Sequence, residues 1–388
     1  MKIVVIGSGM YVTGREGTGS GTILASLIQL AKYKKIDSIL IVSKSATSES
    51  HVNKATAEIN QKLGSSIAVD FLCIANGIAD LENIFKSKTF DAAIVSVPDA
   101  LHFDYVKSCI THQIPTLVVK PLTPTYAEAK ELIALSENNK VYGAVEFHKR
   151  WDESNLFAKR VIAENKIGDI NYIQVDYSQK IKIPTEVFRA WSNETNIMQY
   201  LGIHYIDLIH FLTDYMPIRV SAYGTKKTLV EKGIDTYDSI HAFIEWQDTK
   251  NEHQKFISII NANWIDANSG SAMSDQKIKF IGTLGRLECD QKDRGIELIN
   301  DTTGVQLINP YFSEYLSGDD GNMILNGYGF KSIERFVLDV IDLKNNAVSF
   351  EYLIQHRPSF RSASISTLVS DFTTQSLAQQ NKWLDITK

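Results

Sequence analysis

Three places in this chain carry side chains suited to chemistry. Gly7-Ser8-Gly9 stands directly after the apolar run Ile3-Val4-Val5-Ile6. After a strand, the first glycine permits a tight turn and the second lets the backbone come close to a pyrophosphate. Met10 and Tyr11 follow and belong to the same phosphate-facing turn. The spacing is irregular: a strict G-x-G-x-x-G needs glycine at position 12, where Val12 stands, and the next glycines are Gly14, Gly17, Gly19 and Gly21. Residues 11–20 therefore read as an enlarged loop that delays the next helix. His204 is the second place. An imidazole with an ordinary pKa of about 6.5 serves as acid or base near neutrality, and Asp207 lies one helical turn later, where it can orient the ring. Lys120 is the third. It follows an apolar run and precedes Pro121, which keeps it out of regular helix and presents it at a strand end. Each has a plainer reading: a glycine-rich loop, a helix-start histidine bonded to backbone beside an ordinary helix acid, and a surface lysine by a turn.

The elements that must position these groups are legible as a change of pattern. Short β-branched runs at residues 3–6, 38–42, 67–74, 92–97, 116–119 and 141–146 alternate with helical stretches at 23–33, 51–63, 79–87, 103–112 and 125–138. Alternation of this kind gives a parallel sheet covered on both faces. Residues 150–164 read as one more helix. Beyond it strands follow one another at 171–178, 218–223, 239–246, 255–263, 278–282 and 285–289, the pattern of a mostly antiparallel sheet. The expected fold is α/β: a Rossmann doubly wound parallel sheet over residues 1–148, then an α+β domain over 149–388 with a large, mostly antiparallel open sheet. Residues 300–326, rich in Gly, Asn and Asp, read as a long surface loop.

The second strand ends at Ser43-Lys44-Ser45. An NAD site usually places an acid there for the ribose 2′-OH. Ser43 and Lys44 instead suit a 2′-phosphate, which tilts the expected cofactor from NAD toward NADP. A solvated loop with an ordinary lysine is the alternative.

Composition narrows the class. A chain of 388 residues exceeds one ordinary core and suits two domains. A net charge of -5 gives no electrostatic reason for nucleic acid or an anionic membrane as partner. Cys73, Cys109 and Cys289 are odd in number and lack C-x-x-C spacing, so neither a disulfide framework nor a zinc site is expected. Cys73 and Cys109 lie in apolar runs and read as core. His210, His241, His253 and His356 show no ligand-like spacing, and no metal is expected. The N-terminal apolar run is too short for a signal or membrane segment, so a soluble, cytoplasmic location is expected.

Three further segments make the chain resemble the glucose–fructose oxidoreductase / inositol dehydrogenase / MocA (Gfo/Idh/MocA) family. Ser96-Val97-Pro98-Asp99-Ala100-Leu101-His102 is similar to that family's Thr-Pro-Asn…His stretch beside the cofactor. Val119-Lys120-Pro121 resembles its Glu-Lys-Pro motif, with Val in place of Glu. Gly202-Ile203-His204-Tyr205-Ile206-Asp207 resembles its Gly-x-His-x-x-Asp motif. The resemblance is strong to about residue 215 and diffuse beyond.

What the resemblance implies is reversible hydride transfer between nicotinamide, NAD(P)(H), and a carbinol or keto carbon of a sugar, sugar derivative or cyclitol. Val97, Pro98, His102 and Lys120 would join Gly7, Gly9, Met10, Tyr11, Ser43 and Lys44 around the cofactor. Hydride transfer leaves a proton to be moved and charge on oxygen to be held; Lys120 and His204 would do both, converging beside one nicotinamide ring, with Asp207 in support. Many members carry Asp four residues before the histidine. Tyr200 stands there, and a phenol is a poor base unless a cation such as Lys120 lowers its pKa. Tyr200 thus shares the proton or binds substrate. Substrate contacts are expected from the segment 146–151, with His148, Arg150 and Trp151, and from Lys182, Arg189, Trp191 and His204, which offer the directional donors and aromatic face that polyols need. Two other outcomes stay open: a glycoside hydrolase working by transient oxidation and elimination, and a non-catalytic cofactor-binding regulator. A homo-oligomer, dimer or tetramer, would form through the open sheet.

Overall fold

The computed structural model describes residues 1–14 and 21–386. They divide into two compact units. The first comprises Met1–Thr123, Ala127–Trp151 and Tyr311–Ser364. Its strands are β1 (Lys2–Ile6), β2 (Ser38–Ser43), β3 (Val69–Cys73), β4 (Ala92–Val95), β5 (Thr116–Val119) and β6 (Gly143–Glu146). They form one parallel sheet in the order β3-β2-β1-β4-β5-β6. This is the doubly wound order expected from the sequence. β4 and most of β1 and β2 are buried, as apolar strands covered on both faces must be. The order reverses between β1 and β4, and in such sheets ligands bind outside the carboxyl ends of the strands at that reversal. Gly7, Ser43, Ser96, Lys120 and Glu146 all stand at or just past those ends.

β3 is an edge strand and mostly exposed. Cys73 is exposed with it, contrary to the core position its apolar neighbours suggested. An apolar run at a sheet edge has one side without a neighbouring strand, and sequence alone does not tell edge from centre.

The return of residues 311–364 to the first unit differs from the single boundary near residue 148 that the sequence suggested. The helix Tyr328–Lys344 buries Ile333, Phe336, Val337 and Val340 in the same core as Leu24, Leu27, Ile39 and Ile59. Each such side chain contributes about 1.5–3 kcal/mol on burial. Its 3.6-residue periodicity announces a covered face but not which core covers it. Residues 300–326 are also not a plain loop. The antiparallel pairs Glu297–Asn300/Gly304–Leu307 and Glu314–Ser317/Met323–Asn326 lie there, hidden by the turn residues between their short strands. Gln29 locks the second pair, donating from Nε2 to the Leu325 carbonyl at 2.7 Å and accepting from the Leu325 N–H at 2.6 Å.

The second unit comprises Pro124–Tyr126, Asp152–Pro310 and Ile365–Lys388. Its strands are β7 (Ile170–Lys180), β8 (Met216–Thr225), β9 (Ser239–Gln247), β10 (Lys255–Asp266), β11 (Ser274–Gly282) and β12 (Arg286–Asp290), with a short strand Leu384–Asp385 at one edge. The order is β12-β11-β7-β10-β9-β8, then the short strand. Every neighbouring pair is antiparallel except β7 with β10. Burial alternates along β7, β9 and β10, the mark of a sheet with one covered and one open face. The covered face packs Val175, Trp246, Ile260 and Phe280 against Tyr205, Ile206 and Ile209 of the helix Ile203–Thr213. The helix read at 150–164 begins at Glu153, because Asp152 is its N-cap and accepts from the Ser154 N–H at 3.1 Å. Such a cap stabilises a helix by about 1 kcal/mol. No helix among the described residues is long and apolar enough to cross a membrane.

Candidate active site

In the first unit the glycine turn is built as a strand-end site requires. Gly7 has φ +107° and its N–H donates to the Val42 carbonyl at 2.8 Å. A Cβ there would meet the Ser96 carbonyl oxygen at 2.0 Å, so only glycine fits where β1 passes β4. A Cβ on Gly9 would meet nothing within 4 Å; the backbone there borders open space, which suits a close-approaching phosphate. Residues 10–13 are not loop. Met10–Thr13 forms a short helix, and the next helix starts at Ile23. The rest of the expected enlarged loop, residues 15–20, lies outside the described residues. Ser43 accepts a hydrogen bond from Ser8 Oγ at 3.0 Å, and Lys44 is exposed beside it. Hydroxyl and ammonium without a carboxylate suit a phosphate better than a ribose hydroxyl.

Val97 is partly buried and Pro98 exposed. His102 is buried, with Nε2 3.0 Å from the Val97 carbonyl oxygen and Nδ1 2.7 Å from that of Pro121. Its ring ties the loop after β4 to the loop after β5, where Lys120 precedes a cis Pro121. Lys120 is half-buried. Burial pulls its amine down to about 8, against the opposing pull of the Asp99 and Glu146 carboxylates.

Glu146 closes β6, with Val119 as its register partner on β5. It is 1% exposed. Its Oε2 lies 3.0 Å from His148 Nδ1, and the Tyr11 hydroxyl lies 3.5 Å from the same nitrogen. The His148 ring is stacked on Tyr328 at 5.6 Å and meets Phe312 edge-on at 5.1 Å. Burial, and then the Glu146 carboxylate, push the Tyr11 phenol well above its ordinary range. Tyr11, Glu146 and His148 thus form one cluster. Arg150, expected to face substrate, is buried and donates from Nη2 to Ser362 Oγ at 2.9 Å; Trp151 is half-buried. Asp99, Phe312 and Tyr328 were not singled out in the sequence. The last two sit in the segment read as loop and second domain, so nothing local placed them beside His148.

In the second unit His204 is the second residue of its helix, as expected. A wider π turn, Met198–Gly202, runs straight into the helix Ile203–Thr213. Such turns recur at functional sites. A Cβ on Gly202 would meet Met198 Sδ at 2.1 Å, so the turn needs its glycine. His204 and Asp207 are 4% and 2% exposed on a helix otherwise rich in core residues. Two ionisable side chains held so deep on an apolar helix are poor packing choices and point to chemistry. Tyr200, in the π turn, is half-buried among aromatic rings: Phe188 at 5.1 Å, Trp264 at 5.4 Å and Trp191 at 5.9 Å. Phe188 and Trp264 escaped the sequence reading, where both looked like ordinary apolar positions. Arg189 is exposed and donates to the carbonyls of Gly233 at 3.1 Å and Lys232 at 3.3 Å. Lys182 is half-exposed, its backbone N–H donating to Asn268 Oδ1 at 2.9 Å. Among the described residues no group of three or more His, Cys, Asp or Glu is arranged to hold a metal.

Known proteins give this arrangement a context. The family described as "Oxidoreductase family, NAD-binding Rossmann fold" matches residues 1–147, and the Gfo/Idh/MocA C-terminal domain matches residues 156–288. The chain is 30% identical over 137 residues to scyllo-inositol 2-dehydrogenase (NADP(+)) IolW from Bacillus subtilis, covering 34% of this chain and 37% of that protein. It is 21% identical over 205 residues to 2,7-anhydro-N-acetylneuraminate hydratase from Mediterraneibacter gnavus, covering 50% of this chain and 54% of the other. The matched regions thus span only about a third to a half of these relatives. The fold is similar to the crystal structure of scyllo-inositol dehydrogenase from Lactobacillus casei with bound NAD(H) and scyllo-inositol, with TM-score 0.69 and 15% identity over 100% of this chain and 99% of that one. Both domain types of one family follow each other along the sequence in the expected order, and the chain belongs to the Gfo/Idh/MocA family of oxidoreductases.

Proposed function

We propose that this oxidoreductase is an NAD(P)-dependent dehydrogenase or reductase acting on a carbinol or keto carbon of a sugar, sugar derivative or cyclitol, with NADP as the preferred cofactor. The observation that carries the reading is Lys120: an amine at the carboxyl end of β5, drawn down to about 8 and flanked by two carboxylates. Bound nicotinamide dinucleotide supplies the hydride acceptor or donor. Gly7, Gly9, Met10 and Tyr11 would hold its phosphates, Ser43 and Lys44 the 2′-phosphate, and Val97, Pro98 and the His102-tied loops its nicotinamide side.

The chain's own residues handle the proton. In oxidation, His204 takes the proton from the substrate hydroxyl; in reduction it returns one to the same oxygen. The Lys120 ammonium hydrogen-bonds that oxygen as negative charge grows on it. Asp207 orients the imidazole, and Tyr200 shares in the proton's path or holds the substrate. His148, Trp151, Lys182, Arg189 and Trp191 offer donors and aromatic faces to a polyol. Arg150 would join them at the substrate, its Nη2 also bonded to Ser362. The open face of the second sheet would join copies into a dimer or tetramer, and the protein would work in the cytoplasm.

The relative named as a hydratase favours a second reading: transient oxidation followed by elimination, as in cleavage of a glycosidic bond, with no net change in cofactor. One experiment separates the readings. Sugars, cyclitols and keto-sugars are incubated with NADP or NAD and followed both at the nicotinamide absorbance and by product analysis. Absorbance change that tracks turnover, larger with NADP, is the expected result. Product without absorbance change selects elimination. Tight cofactor binding with no product in either direction means a regulator and overturns both.

A further inference from the structure

A buried carboxylate has to be neutralised, hydrogen-bonded or useful, because leaving one of its oxygens unsatisfied costs about 1–3 kcal/mol or more. Glu146 is 1% exposed, and its Oε1 is buried with no hydrogen-bond partner among the described residues. Its Oε2 is held at 3.0 Å by His148 Nδ1. His148 in turn is wedged between the rings of Tyr328 and Phe312, so this hold is rigid. On the neighbouring strand Val119 is its register partner, and the next residue is Lys120. The Glu146 carboxylate is close enough for its charge to act on the Lys120 amine.

We propose that Glu146 is the positioning residue for the Lys120 amine: a carboxylate locked by His148 that keeps the ammonium in place and charged. The inference rests on the functional reading above, in which that ammonium meets the reacting oxygen. The groups that face the pair are Asp99 on the Lys120 side, and His148 and Tyr11 on the Glu146 side, with Tyr328 behind Tyr11. The Glu146 field favours the charged amine, opposing burial. Removing the carboxylate while keeping its shape therefore makes Lys120 lose its proton at lower pH. A residue that only packed β6 would change stability and leave that titration alone.

The labelling that reads the amine directly needs neither cofactor nor substrate. Wild type, Glu146→Gln and Glu146→Asp are pulsed with acetic anhydride across about pH 6 to about pH 10, and acetylated Lys120 is quantified by peptide mass spectrometry. Only the neutral amine reacts. The wild-type midpoint is expected at about 8; Glu146→Gln should lower it by about one unit, and Glu146→Asp, which retains the charge one carbon further back, should fall between. In the pH dependence of kcat/KM, the loss of rate as pH rises through about 8 should move down with it. Far-ultraviolet dichroism shows which variants are folded. A midpoint equal to wild type in both folded variants, or in Glu146→Asp alone when the Gln variant does not fold, overturns the proposal. A shifted midpoint in a protein that turns over no polyol would overturn the dehydrogenase reading and leave the positioning role standing.

Discussion

Around Lys120 the chain gathers charge. Asp99, the Glu146–His148 pair and Tyr11 come from three separate stretches of sequence and meet because parallel strands end side by side. Around His204 it gathers carbon. Tyr200, His204 and Asp207 come from a single stretch, a π turn running into a helix most of whose other side chains are buried, with Phe188, Trp191 and Trp264 walling the tyrosine. The difference has a physical consequence. An amine among carboxylates is tuned by their fields, so changes there should show first in titration. An imidazole set in apolar packing depends on desolvation and orientation, so changes there should show in the rate and leave neighbouring titrations alone.

The contrast is broken most decisively at Lys120. If Lys120 stabilises the reacting oxygen as proposed, kcat/KM of Lys120→Ala should fall by about 10³-fold. Its Kd for NADPH, measured by fluorescence titration, should stay within about tenfold of wild type. Full retained activity would take Lys120 out of the chemistry. His204→Asn comes next. It keeps a polar group of smaller size but gives up acid–base capacity, and should cost about 10²-fold in kcat with KM little changed. The same loss appearing in KM with kcat intact would make His204 a binding residue, and the two regions would no longer divide the work of charge and proton.

The same contrast explains what was legible beforehand. The His204 neighbourhood is local in sequence, so glycine, histidine and aspartate at fixed spacing could be read directly. Its π turn could not, because one extra residue per turn leaves no trace in composition. The Lys120 neighbourhood is assembled by topology. Alternating strands and helices predicted a doubly wound sheet, which places Gly7, Ser43 and Lys120 at strand ends, and the sheet does so. Asp99 and Glu146 lay within quoted segments, yet their coupling to Lys120 needed strand order and register. Tyr328 and Phe312 were beyond reach. Their helix and hairpin return to the first unit from more than 150 residues downstream of Glu146, and periodicity does not say which core an amphipathic helix covers. Arg150 also lay in a quoted segment, and its bond to Ser362 Oγ likewise needed the fold to be seen.

Ser43 offers the smallest and most selective perturbation, because in the proposed function it meets the cofactor's 2′-phosphate and has no part in moving the proton. It closes β2, accepts from Ser8 Oγ at 3.0 Å and lies 3.4 Å from Ser48 Oγ. An acid at this strand end is what a ribose 2′-OH requires and what a 2′-phosphate is repelled by. Ser43→Asp should therefore weaken NADPH binding by about tenfold, equivalent to about 1.4 kcal/mol, while leaving NADH binding equal or tighter. The exposed Lys44 next door keeps the loss modest, since its charge still favours the phosphate. Because the substitution is remote from both Lys120 and His204 in role, kcat at saturating cofactor should not move. An NADPH affinity that is unchanged would mean that the end of β2 does not meet the 2′-phosphate, and the preference for NADP would have to be given up without touching the assignment of either reacting group.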